Sequence, residues 1–323
     1  MTARSIRIAA TSFAALAALT GCATAANEGA EITVSGSATV APITQAVADQ
    51  GRFAIDLAAE GTINGFERFC AGETDLNNAS TAIPEEFVAS CAENGVDFVE
   101  LPIGLDAMTL VRNEANSFAT DLSMTELADI WAPDSTVTTW ADVRSEWPDD
   151  EIGLYGRPDG SGTFDFFTNT VNGEPGSIRD DYQATNDMVE LTSWVADDEN
   201  ALAFMGVGNY LEADEEQRDR ITNIAIDGVM PTLEHAQSGE YTPFSRPLFI
   251  YVSLQAIEEK AAVAEFVDYY VDYVPNALPF TGFYGLGDEV TELVQARWEA
   301  RTPGAMFDGD EFPTGDLAAA LSS

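Results

Sequence analysis

The stretch GRPDGSGTFDFF, residues 156–167, sets Arg157 four residues ahead of Ser161-Gly162-Thr163 and then runs into an aromatic-rich helical pattern. Gly and Pro on its left mark a turn, while Phe164, Phe166, Phe167 and Val171 recur as on the packed side of a helix. Ser161 to Thr163 is therefore read as a helix N-terminus. There the first backbone N–H groups have no intrahelical acceptor and the helix dipole adds partial positive charge, which together cradle an anion. Arg157 would add a two-pronged grip. The plainer alternative is a Ser-capped helix beside a surface arginine.

Two other stretches share this grammar. In TVSGSATVAPITQAV a strand runs into residues 36–40, Gly-Ser-Ala-Thr-Val, with Pro42 suited to the first helical turn. In LAAEGTINGFERFCAG the turn at residues 61–65 opens another helix. Ser and Thr caps are common singly. Three glycine-punctuated, hydroxyl-bearing helix starts with one arginine make a more specific pattern.

The charge balance sharpens that pattern. Fifty-five Asp plus Glu against 14 Lys plus Arg give a formal net charge of −41, and Lys260 is the only lysine. Such a surface excludes nucleic acid and acidic membrane as natural partners. An anion site must then be local and water-excluded, since exposed charges are screened beyond about 8–10 Å. Neutral backbone donors meet that requirement without a basic surface.

The N-terminus gives an address. Arg4 and Arg7 precede an apolar run over residues 8–19, followed by Leu19-Thr20-Gly21-Cys22. This reads as a secretory signal peptide with a lipobox, the run being too short to span a bilayer. Residues 1–22 are the expected lipoprotein signal and Cys22 the lipidated residue, so the chain is expected to be exported and lipid-anchored at the outer face of the cell membrane or in the periplasm. In that oxidising compartment Cys70 and Cys91 are expected to form a disulfide. One histidine, His235, and no close Cys pairs exclude a zinc site, and no cofactor is implied.

Strand-like and helix-like runs alternate along the chain: EITVSG then PITQAVADQGRFAI; VDFVELPIG and AMTLVRN then MTELADIWA; EIGLYG then TFDFFTNTV; ITNIAID and PLFIYVSL then AAVAEFVDYYVDYV. About 300 mature residues in this alternation predict two α/β lobes. The tail PGAMFDGDEFPTGDLAAALSS is expected to wrap the surface or fray.

The segments VSGSATVAPIT, FERFCAGETDLNNAST, VDFVELPIGLDAMTLVRN, GRPDGSGTFDFF, SIRDDYQAT and SRPLFIYV occur in the order and spacing of the phosphate-binding proteins of ABC transporters, the PstS family, which the chain resembles over about residues 32–252. The resemblance implies a two-lobed type II periplasmic-binding-protein fold, α/β, each lobe a mixed sheet flanked by helices with the ligand cleft between lobes. The expected division is residues 30–111 with 245–323 as one lobe and 112–244 as the other. It also implies the Cys70–Cys91 disulfide, a monomer, inorganic phosphate as ligand and the permease subunits of an ABC importer as partners. Carried onto this sequence, the phosphate-binding positions are Thr39, Val40, Thr62, Thr81, Arg157, Ser161, Gly162 and Thr163, with Asp159 orienting Arg157. Arg179 is expected either to touch the ligand or to pair with Asp180 or Asp181.

One position departs from the family pattern. Some relatives carry at position 81 an aspartate that accepts a proton from phosphate, and others an arginine; this chain has Thr81. Selectivity would then rest on another acid such as Asp106 or Asp159, or be weaker than the family usually shows. Asn64, where the family has glycine, would donate to the anion or cap its helix. An enzyme is the rival class, but PDGSGT is not a nucleophile elbow and no phosphate loop precedes Lys260.

Overall fold

Every residue from Phe98 to Asn113 is buried, because that segment serves as a strand in two sheets at once. The computed structural model describes residues 32–212, 215–311 and 317–322; the signal segment and Cys22 lie outside the described residues. In chain order, β1 (Ile32–Gly36), α1 (Ala41–Gly51), β2 (Ile55–Ala58), α2 (Thr62–Cys70), β3 (Leu76–Ala79) and α3 (Glu85–Asn94) lead to the long strand β4 (Phe98–Asn113). Then come β5 (Asp121–Leu122), α4 (Met124–Trp131), α5 (Trp140–Val143), β6 (Gly153–Gly156), α6 (Gly162–Asn172), β7 (Gln183–Ala184), α7 (Met188–Asp197) and β8 (Ala201–Gly206). The elements α8 (Val207–Glu212), α9 (Glu215–Arg218), β9 (Ile221–Asn223), β10 (Ala225–Ile226) and α10 (Leu233–Gln237) return the chain to β11 (Ser245–Ser253). It closes with α11 (Leu254–Glu259), α12 (Ala261–Thr281), α13 (Asp288–Glu299) and α14 (Leu317–Leu321).

The strands run in the order β2-β1-β3-β11-β4-β8-β6-β7, with β9 also on β4. The first part of β4, from Phe98 to Ala107, pairs with β11, and the last part, from Met108, pairs with β8 and β9. The handover between Ala107 and Met108 divides the sheet into two halves. Each half has a core on both faces. Leu248, Ile250 and Val252 of β11 face α1 and α12, while Phe249 and Tyr251 face α2 and α3, the period-two alternation of a central strand. In the other half, Trp131, Phe167 and Phe204 fill one face, the two Phe rings stacked at 4.0 Å, and Leu191, Val195 and Met205 the other.

Sequence periodicity reads VDFVELPIG and AMTLVRN as two strands, yet β4 is continuous. Gly104 and Asp106 do not end it, because β11 pairs across them with a register shift at Leu248/Phe249 that absorbs the irregularity. Likewise α12 runs through Pro275 and Pro279, beyond the apolar run AAVAEFVDYYVDYV. The described tail to Glu311 wraps the first half: the Gly304 amide donates to the Phe98 carbonyl at 2.8 Å, the Met306 amide to the Glu100 carboxylate, and the Ala82 amide to the Glu311 carbonyl at 3.1 Å. Cys70 at the end of α2 is bonded to Cys91 on α3.

Candidate functional site: a cleft between helix starts

Glycine brings two of the helix starts together. Gly36 ends β1 at φ +114°, and a Cβ there would stand 2.1 Å from the Asn78 carbonyl oxygen, so the turn into α1 is open to glycine alone. On α2, a Cβ at Gly65 would be 2.3 Å from the Gly36 Cα. That close approach lays the start of α2 against the end of β1. The Gly61 amide donates to the Gly36 carbonyl at 2.9 Å and fixes the pair.

The third start comes from the other half of the molecule. Ser161 caps α6, with Asp165 N donating to its carbonyl at 3.1 Å. A Cβ on Gly162 would stand 2.7 Å from the Thr39 hydroxyl, so the two halves touch at these turns. Between them lies a cleft of about 280 Å³, lined among others by Thr39, Thr62, Thr81, Gly162, Asp165 and Arg246.

Side-chain chemistry in the cleft is sparse and polar. The Thr62 hydroxyl lies 3.1 Å from that of Ser80 and accepts from the Ser80 amide at 3.2 Å. The Thr81 hydroxyl oxygen is buried with no hydrogen-bond partner among the described residues. A buried hydroxyl without a partner costs about 1–3 kcal/mol, so it marks a place where a ligand oxygen would be welcome.

Arg246 is the cation of this cleft. Its Nε and Nη2 donate to Asp106 Oδ2 at 3.2 and 3.0 Å, and its guanidinium lies 4.0 Å from the centroid of the Phe166 ring on α6. It faces Asp106 in register across β11 and β4, next to the strand handover. Asp165 shares the lining; burial and then Asp159 push its carboxyl above the ordinary value, with Arg246 opposing.

Several residues singled out in the sequence lie elsewhere. Arg157 is half-buried, and burial draws its guanidinium below the usual value. It donates to Ser161 Oγ at 3.3 Å and to the Asn186 side chain and carbonyl at 3.2 and 3.3 Å. Asp159 is exposed and, among the described residues, makes no ion pair with Arg157, whose guanidinium is met instead by Asn186. Arg179 is buried away from the cleft: it pairs with Asp181 at 2.5 and 2.8 Å and donates to the Ile130 and Val137 carbonyls. The pair with Asp181 is thus formed. Asn64 donates to the Glu60 carbonyl at 2.9 Å, a helix-start contact. The Val40 side chain is in the core, leaving only its backbone for the cleft side. Thr163 is half-buried on the first turn of α6.

Sequence reasoning missed Arg246 and Asp165. A signal existed for the first: in a chain with 14 basic residues, an arginine at the head of the apolar run PLFIYV has to be paired or functional. Asp165 looks like any acidic residue of a first helical turn.

Comparison with known proteins places this geometry. Residues 22–273 match a family model described as a PBP superfamily domain. The chain is 36% identical over 290 residues to Protein SphX of Synechocystis sp., covering 86% of this chain and 85% of that protein. It is 30% identical over 258 residues to the phosphate-binding protein PstS of Staphylococcus epidermidis, covering 77% and 76%. Among solved structures, a possible phosphate binding protein from Planctomyces limnophilus superposes with a TM-score of 0.77 at 37% identity, over 85% of this chain and 99% of that one. An ABC-type phosphate transport receptor from Vibrio cholerae, 21% identical with a TM-score of 0.63 over 79% and 99%, shares the fold.

Proposed function

This chain belongs to the PBP superfamily and is a PstS-like, extracytoplasmic binding protein of the two-lobed α/β type, and from that premise we propose that it captures inorganic phosphate between its lobes and delivers it to the permease of an ABC importer. It is a binding protein, not an enzyme. Its lobes would be residues 32–107 with 245–311 and residues 108–244, the boundary lying at the handover within β4 rather than at residue 111.

The observation that supports this reading most is one cleft lined by three helix starts from both halves of the sheet, by Arg246 and by Thr81, whose buried hydroxyl has no partner among the described residues. Phosphate oxygens would take the amides of Val40, Thr62, Gly162 and Thr163, the Thr81 hydroxyl and the Arg246 guanidinium, while the Thr39 and Ser161 amides already donate to Ser37 Oγ and the Pro158 carbonyl and Arg157 holds the Ser161 hydroxyl. Phosphate near neutral pH still carries hydrogen and can donate, whereas sulfate only accepts. Asp165 is the carboxylate in the lining that would receive that hydrogen and repel sulfate, since Asp106 already faces Arg246. Calorimetric titration with each anion tests the reading. Saturable one-site phosphate binding with much weaker sulfate binding is expected; tighter sulfate, or no phosphate heat, would overturn it.

The anchor and the monomeric state belong to the same proposal. Acyl chains on Cys22 would hold the protein at the membrane, so Cys22→Ser should move it from the detergent phase to the aqueous phase or trap it as precursor. Unchanged detergent partitioning would remove the anchor.

A further inference from the structure

The cleft does not end at the phosphate-sized space. A second cavity, of about 180 Å³, adjoins it and shares the wall formed by Ser80, Thr81, Phe166, Asn169 and Arg246. Beyond that wall the lining adds the apolar Ala82, Pro243 and Pro247, the hydroxyl-bearing Thr170, Thr242 and Ser245, and the acidic Glu311. A dry cavity of about 150 Å³ accommodates a benzene-sized group, so this chamber holds several carbon atoms. A bare tetrahedral anion has nothing to place there.

We propose that the chamber receives the organic substituent of a second class of ligand, phosphonates bearing a short alkyl or aminoalkyl group. The proposal rests on the reading of the neighbouring cleft as a phosphate site. In such a ligand one oxygen of the tetrahedron is replaced by carbon, leaving three oxygens for the helix starts and the arginine. The carbon would point across the shared wall towards the apolar lining of the chamber. Glu311 excludes anionic substituents by like charge and favours an ammonium at the end of a short chain.

Calorimetry and competition on the intact soluble domain decide this, with inorganic phosphate, propylphosphonate, 2-aminoethylphosphonate and phosphonoacetate as the probes. Phosphate should bind, propyl- and 2-aminoethylphosphonate should displace it, and phosphonoacetate, with its terminal carboxylate, should not. Thr170→Phe fills the chamber from α6 without touching the cleft lining. It should weaken the two displacing phosphonates by roughly tenfold or more while leaving phosphate within about twofold. Glu311→Gln should narrow the preference for the aminoethyl over the propyl compound. Phosphate binding with no displacement by either phosphonate, or equal loss of phosphate and phosphonates in Thr170→Phe, would overturn the proposal alone. Absence of phosphate binding would overturn the reading beneath it, and the proposal with it.

Discussion

Arg246 holds the only cationic side chain among the described residues lining the cleft, and it is fixed from two sides by Asp106 and the Phe166 ring. Truncating one partner of a desolvated charge contact typically costs ~2–5 kcal/mol. Arg246→Ala should therefore weaken phosphate binding by on the order of tenfold to several thousandfold, and Arg246→Lys should recover only part, because an ammonium has no planar fork. Arg157→Ala should cost less, since Arg157 reaches the cleft through the Ser161 hydroxyl. Calorimetry on variants with intact circular dichroism checks the order; near-native affinity in Arg246→Ala would make that residue structural. At this scale the sequence is an uneven guide. The Ser161-Gly162-Thr163 helix start is legible because it is a local feature, encoded by adjacent residues. The surroundings of Arg246 are not legible because its partner, Asp106, sits 140 residues away.

Elements hold those residues in place, and α4 shows how. Ser123 and Glu126 form a reciprocal cap: the Glu126 amide donates to Ser123 Oγ at 3.2 Å and the Ser123 amide to Glu126 Oε2 at 2.8 Å. Arg144 grips the same carboxylate at 2.6 and 2.8 Å. These contacts, led by the Arg144 hydrogen bonds, lower the Glu126 carboxyl to about 2. A carboxyl depressed in the folded state adds stability that is complete above its ordinary value and disappears as pH falls through the folded one. Glu126→Gln should thus lose about 1–2 kcal/mol at pH 7, after allowance for solvent screening. The loss should shrink as pH drops from about 4.5 towards 2. Urea unfolding of both proteins across that range measures it, and a deficit independent of pH would contradict the ion-pair account. Trp131 at the end of α4 packs edge-on against Phe167 of α6, so this cap also braces the helix whose start faces the cleft. Helix α4 is legible in the sequence as the run MTELADIWA; the continuity of β4 is not, because a glycine and an aspartate inside a strand are tolerated only when a neighbouring strand, here β11, pairs across them.

The whole molecule reconciles a charge of −41 with a site for an anion. Two half-sheets joined by β4 bring the start of α6 against the start of α1, close enough that a Cβ on Gly162 would crowd the Thr39 hydroxyl. Inside that contact the relevant charges are backbone dipoles and one arginine, and the acidic exterior is screened within about 10 Å. The alternation that predicts two lobes is legible over most of the chain, whereas their closure and the chamber beyond Thr81 are not, since both depend on how two separately encoded halves meet. The claim that an anion is held by three helix starts drawn from both lobes is tested most directly by amide hydrogen exchange with and without phosphate. Exchange at residues 39–43, 61–65 and 161–165 should slow together when phosphate is added and change little with sulfate at the same concentration. Protection confined to one lobe, or equal protection by the two anions, would contradict it.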